Sequence, residues 1–135
     1  MRQHPPDIAA FLAAGSFAVV GASADRAKYG NKVLRCYQQH ALPVVAVNPA
    51  HTSVEGVPCH RSLREVPKSV RAASVVAPPA AALAIVEDAR AAGIDRLWFQ
   101  PGAESAAALD RAAAVGIAVI AGGPCLLVAL GFRDV

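Results

Sequence analysis

Aromatic side chains are scarce in this sequence, at 5% of residues, and there are only three cysteines. With so few aromatics, Ala, Val, Leu and Ile must fill the core, which favours helices packed closely on a Val-rich sheet. Cys36, Cys59 and Cys125 are an odd number at wide spacing. That excludes a disulfide framework and suits a reducing, cytoplasmic compartment. No block of about five Lys/Arg occurs, and basic residues are not interleaved with aromatics. The net charge of +3 therefore does not describe a nucleic-acid surface, although a small anionic ligand is compatible with it. No uninterrupted apolar run reaches the roughly 18 residues of a membrane span. Ile8 to Ala24 is apolar and rich in small residues, but Pro5-Pro6-Asp7 stands where the basic flank of a secretory signal belongs, and Gly15-Ser16 interrupts the run.

Motifs of reaction chemistry are missing too. The histidines and cysteines show neither H-x-x-x-H nor C-x-x-C spacing, so a metal site is not expected. Cys59 and His60 are adjacent and would point to opposite faces of a strand. No Ser-His-Asp or paired-carboxylate arrangement can be proposed from spacing. The chain reads as a binding module more than an enzyme.

What is present is length for one domain over residues 1–135 and 55% hydrophobic content, enough for a core without a staple. Short apolar runs bounded by Gly and Pro alternate with helical periodicity. Phe17–Val20, Pro43–Val47, Ala73–Ala77, Arg96–Phe99 and Ile117–Ile120 read as strands buried on both faces. Helices are expected over Ile8–Ala14 after a capping Asp7, Asn31–His40, Ala80–Ala92 with Leu83, Ile85 and Val86 inward, and Ala103–Val115. Ser62–Val66 reads as one capped helical turn, Val57–His60 as a short extended piece, and Gly122–Val135 as an apolar helical turn. Alternating strands and helices predict an α/β fold: one Rossmann-like doubly wound sheet of five parallel strands, order 3-2-1-4-5, with helices on both faces.

In such sheets ligands lie beyond the carboxyl ends of the strands. That rule selects Gly21-Ala22-Ser23, Asn48-Pro49, Ala77-Pro78-Pro79 and Gln100-Pro101-Gly102. Gly21 permits a tight turn and close approach of an anion. A helix beginning near Gly30 offers free N–H groups to a phosphate, with Ser23, Arg26 and Lys28 as further donors. The loop keeps only the first glycine of G-x-G-x-x-G, and the second strand ends in Asn48 rather than an acidic residue, both of which argue against NAD. The phosphate loop of ATPases is absent as well.

Gly21-Ala22-Ser23, Lys28-Tyr29-Gly30-Asn31-Lys32-Val33 and Val47-Asn48-Pro49 together resemble the CoA-binding domain family. So do the later segments Gly56-Val57-Pro58, Ala77-Pro78-Pro79, Trp98-Phe99-Gln100-Pro101-Gly102 and Gly123-Pro124-Cys125. That family includes small stand-alone proteins and the N-terminal domain of the succinyl-CoA synthetase α-subunit. The resemblance runs over roughly residues 16 to 128, its specificity lying in order and spacing rather than in any one motif.

It implies that Gly21, Ala22, Ser23, Lys28 and Tyr29 contact the phosphates of coenzyme A or an acyl-CoA, and that Asn48 and Pro49 flank the nucleotide. Ala77 and Pro78 would lie beside the adenine, and Gln100, Pro101 and Gly102 along the pantetheine path. Where some members carry a lysine after the Asn-Pro pair, this chain has Ala50-His51. The resemblance further implies binding without ligation, since the phosphohistidine and partner subunit of the synthetase lie outside the domain resembled. An NAD(P)-binding Rossmann protein and a regulatory interaction domain with a vestigial cleft are the alternatives. A homodimer contact through Leu126–Leu130 and an acyl-transfer enzyme are the protein partners left open. Cys125 follows a turn near the expected cleft, where it is either apolar cover for the sheet end or a thiol that meets that of CoA.

Overall fold

A computed structural model describes residues 4–135. Its centre is the pair β1 (Phe17–Val20) and β5 (Ala72–Val75), four-residue strands whose side chains are almost wholly buried. Outward from β1 lie β2 (Val44–Val47) and β4 (Val57–His60), with β3 (Ser53–Val54) antiparallel on the edge. Outward from β5 lie β6 (Arg96–Phe99) and β7 (Ala118–Ile120). The α/β architecture with helices on both faces is as expected, but the sheet has seven strands, in the order β3-β4-β2-β1-β5-β6-β7.

Two expectations are corrected here. The sheet is not five-stranded, and the strand expected third, now β5, pairs with β1 rather than lying outside β2. The outer position is taken by β4, whose pairing with β2 aligns Ala46 with Cys59 and Val47 with His60. Pro58 hides this strand in the sequence, because proline removes a ladder donor and reads as loop or edge. Counting the parallel strands alone, the order is 3-2-1-4-5-6, so the strand order reverses between β1 and β5.

Alternation along the strands divides the core in two. Phe17 and Val19 face α1 (Pro6–Leu12), α2 (Tyr29–Gln39) and α5 (Leu126–Leu130). Ala18, Val75, Leu97 and Phe99 face α3 (Ala82–Ala92), α4 (Ala106–Ala114) and the 3-10 turn Leu63–Glu65. Nearly all the aromatics gather on the first face. Phe17 stacks between Phe11 at 5.4 Å and Tyr37 at 4.9 Å, and Trp98 meets Phe11 edge-on. Such pairs add about 0.5–1.5 kcal/mol each beyond burial. Tyr37 and Ser74 satisfy each other's hydroxyls at 2.6 Å, and Trp98 donates Nε1–H to the Pro124 carbonyl.

Cys36 is core, as expected, and Ser62 caps its turn by accepting from the Arg64 N–H. Leu83, expected inward, is 42% exposed, while Ile85 and Val86 carry the packing of α3. The helix expected from Ala103 starts at Ala106, because Ser105 accepts from the Ala108 N–H as its N-cap. Glu104 lies ahead of that helix and accepts instead from the Gly122 N–H. Arg35 on α2 is buried and holds the last residues to the domain, bonding Asn31 Oδ1 at 2.6 Å and Asp134 at 3.3 Å, and stacking over Phe132. No helix among the described residues is long and apolar enough to cross a membrane.

Candidate functional site

Parallel register aligns the strand ends in a row: Val47 with His60, Val20 with Val47 and Val75, Val75 with Phe99. The turns beginning at Gly21, Asn48, Arg61, Val76 and Gln100 therefore stand side by side along one edge. At the reversal between β1 and β5 the two turns touch. A Cβ on Gly21 would lie 1.7 Å from the Val76 carbonyl oxygen, and one on Gly30 would lie 2.0 Å from the Gly21 carbonyl oxygen. Gly21 also has φ +88°, where an L side chain is strained. These two glycines bring strand end, α2 and the β5 turn into van der Waals contact, without the remaining glycines of a dinucleotide fingerprint.

That contact leaves two clefts that share Ala77. The first, of about 310 Å³, runs over the ends of β1, β2 and β4 and is walled by Gly21, Asn48, Pro49, Arg61, Ile85 and Asp88. The second, of about 430 Å³, lies over the ends of β5 and β6, between Tyr29, Val76, Pro78, Gln100, Pro101 and Gly102. Each falls within the size range of small-molecule sites.

Nine of the residues selected from the sequence line these clefts: Gly21, Asn48, Pro49, Ala77, Tyr29, Pro78, Gln100, Pro101 and Gly102. Ala22 is fully buried, and its side chain meets no cleft. Ser23 accepts from the Asp25 N–H, which closes a turn within the loop. Lys28 is exposed at the N-cap of α2 and lines neither cleft. Asn48 spends its amide on the scaffold, donating to the Ala22 carbonyl and accepting from the Ala50 N–H, each at 2.8 Å. Asn31 holds the loop from the other side, donating to the Ser23 carbonyl and to Glu55. Arg26, a candidate phosphate donor, faces Glu55 at 3.7 Å.

Two features were not selected from the sequence. The first is Arg61, an exposed cation in the wall of the first cleft, immediately after β4. It stands next to the Asn48 turn through the Val47–His60 pairing, in the loop after β4 as Ala50 is in the turn after β2. Asp88 on the same wall is neutralised by Arg64 at 2.6 Å. Recognising Val57–His60 as a paired strand is the signal that would have revealed Arg61. The second is a polar cluster behind the other cleft. Gln100 is 1% exposed; its Oε1 accepts from the Leu126 N–H at 2.9 Å and from the Tyr29 hydroxyl at 3.3 Å. Its Nε2 has no partner among the described residues. The Tyr29 hydroxyl also touches Cys125 Sγ, and burial pushes the Tyr29 pKa well above the usual phenol value, so the hydroxyl stays protonated.

The family described as CoA binding domain matches residues 15–131. The chain is 40% identical to a conserved hypothetical protein from Pyrococcus furiosus, covering 84% of this chain and 97% of that one with a TM-score of 0.80. It is 36% identical over 61 residues to an ADP-forming acetate–CoA ligase from Archaeoglobus fulgidus, which is 45% of this chain but only 9% of the ligase. The dinucleotide-forming acetyl-coenzyme A synthetase 1 of Ca. Korarchaeum cryptofilum, solved with phosphate and ADP, aligns at 27% identity and a TM-score of 0.72. The match covers 81% of this chain and 25% of that enzyme.

Proposed function

From the membership of this chain in the CoA-binding domain family, we propose that it binds coenzyme A or an acyl-CoA without itself catalysing ligation. The observation that carries this reading is the pair of clefts joined at Ala77, one walled by an exposed arginine and the other by a buried, unpartnered amide donor. An elongated ligand with an anionic nucleotide at one end and an amide-bearing arm at the other suits both. The nucleotide occupies the first cleft, with Arg61 supplying the cation that Ala50-His51 does not. The pyrophosphate crosses at Gly21, beside the first N–H groups of α2, where the helix dipole favours negative charge. The pantetheine arm follows Pro78, Gln100, Pro101 and Gly102.

Asn48 then acts by holding the Gly21 loop, since both ends of its amide are already bonded. One hydrogen and one lone pair of that amide remain, but no carboxylate stands at the end of β2 to take the ribose hydroxyls of NAD. This chain aligns with 9% of one ligase relative and 25% of the other, and the reading leaves acyl transfer to a partner enzyme.

Isothermal titration with CoA, dephospho-CoA and NADPH tests the proposal. CoA is expected to bind in the micromolar range, with dephospho-CoA weaker by up to about fivefold, the value of one exposed charge pair. Tight NADPH binding without CoA binding would replace this reading with a dinucleotide one. Binding of none of the three would point to a regulatory interaction domain.

A further inference from the structure

Three cysteines are free, and their surroundings separate them sharply. Cys36 is fully buried in the core, and burial pushes its thiol up to about 11. Cys59 contacts the Asn48 carbonyl at 3.4 Å and is also raised by burial. Cys125 is partly exposed and sits between two cavities. On one side its Sγ touches the Tyr29 hydroxyl, in the wall of the second cleft. On the other it borders a separate cavity of about 330 Å³ with Pro5, Ile8 and Pro124.

A second, independent feature points to a ligand at this place. The Gln100 amide nitrogen is buried in the same cleft wall without a partner, although buried donors are nearly always paired. Its oxygen is fixed by the Leu126 N–H and the Tyr29 hydroxyl, so the free N–H groups cannot turn away without breaking both bonds. Gln100 lines the cleft, so an acceptor entering there would supply the missing partner. An amide carbonyl has that chemistry, and a pantetheine arm carries amides ending in sulfur.

We propose that Cys125 is a thiol–disulfide exchange site, which takes one half of a CoA disulfide onto its Sγ as a mixed disulfide. This rests on the CoA-binding reading above. The Cys125 thiolate attacks one sulfur of the disulfide; the ligand's S–S bond breaks and an Sγ–S bond forms. The electron pair leaves with the second CoA as its thiolate, which takes up the proton that Cys125 gave to solvent. One disulfide is exchanged for another, and CoA disulfide is the only oxidant required. On attack the protonated Tyr29 hydroxyl turns its one proton from Gln100 Oε1 to the thiolate. The displaced thiolate departs in line with the new Sγ–S bond and away from Cys125.

The test is to treat the reduced full chain with CoA disulfide, and in parallel with glutathione disulfide, and to follow intact mass and peptide maps. The expected adduct adds one CoA less two hydrogens, maps to Cys125 and is reversed by a reducing thiol. It survives Cys59→Ala, and it is lost in Cys125→Ser. Tyr29→Phe slows it without moving it. Glutathione disulfide reacts at least roughly tenfold more slowly, because only the CoA half is positioned by the cleft. An adduct on Cys59, or equal rates with the two disulfides, overturns the proposal. So does the absence of an adduct when calorimetry shows that CoA binds. If CoA neither binds nor reacts, the CoA-binding reading itself has failed.

Discussion

The two clefts meet at one alanine but are built in different ways. The first is made largely by the main chain: strand ends in register, a glycine turn pressed on a carbonyl, and an asparagine that bonds only to backbone. The second is walled by side chains that converge from far apart in sequence, Tyr29 and Gln100, with Cys125 behind Tyr29 and one donor left unpartnered. A site made by main chain is rigid and intolerant of added atoms. A site made by converging side chains can lose a group and keep its shape.

That difference sets the size of the expected effects. Gly21→Ala and Gly30→Ala put a methyl group into a backbone carbonyl, and are expected to destabilise by roughly 3 kcal/mol or more and to abolish CoA binding. Gly102→Ala, at the second cleft, has open space around its Cβ and φ +85°. It should cost only the left-handed strain, about 1–2 kcal/mol. Denaturant unfolding of the three variants separates these cases, and equal losses would erase the contrast.

Smaller effects come from single side chains. Arg61→Ala should weaken CoA by up to about fivefold while leaving dephospho-CoA almost unchanged, with Arg61→Lys between, by calorimetry. The same loss for both ligands would remove Arg61 from phosphate recognition.

Alkaline pH acts through the face behind the second cleft. The Cys36 pKa is raised from 9.0 to about 11, and that of buried Tyr37 is raised too, chiefly by burial. A raised folded-state pKa stabilises fully below the unfolded value, so stability should fall as pH climbs through about 9 to 11. Unfolding midpoints across that range check the direction, and Cys36→Ala should flatten the slope. The smallest effect belongs to the exposed Glu87–Arg111 pair, which holds the Glu87 carboxyl below its usual range through the Arg111 hydrogen bond. Its contribution is present at neutral pH and lost as pH falls through the depressed value, and Glu87→Gln should slightly soften the acid limb of the unfolding profile.

How far the sequence could be read follows the same division. The strand ends at Gly21, Asn48, Ala77 and Gln100 were legible because Gly and Pro punctuate short apolar runs, and because ligands gather at that edge in parallel sheets. Their contact across the reversal was not legible, since nothing local says that Val76 will press on Gly21. The order of the sheet was misread for one reason: β4 contains Pro58 and ends in His60, so it lacks a strand's apolar signature. Missing that strand also concealed Arg61. Ser23 was selected for its hydroxyl, yet it spends it on the loop as Asn48 spends its amide, a competition that spacing cannot reveal. The Tyr29–Gln100–Cys125 cluster depends on bonds spanning 71 and 96 positions, and only the folded topology brings it together.

The central claim is that two differently built clefts hold two halves of one ligand. The most direct measurement is calorimetry of those halves, adenosine 3′,5′-bisphosphate and pantetheine, each titrated into the unaltered protein, Arg61→Ala and Tyr29→Phe. The account predicts that the bisphosphate competes with CoA and is weakened by Arg61→Ala but not by Tyr29→Phe, with pantetheine showing the reverse. A bisphosphate that responds to Tyr29→Phe and ignores Arg61→Ala would contradict it.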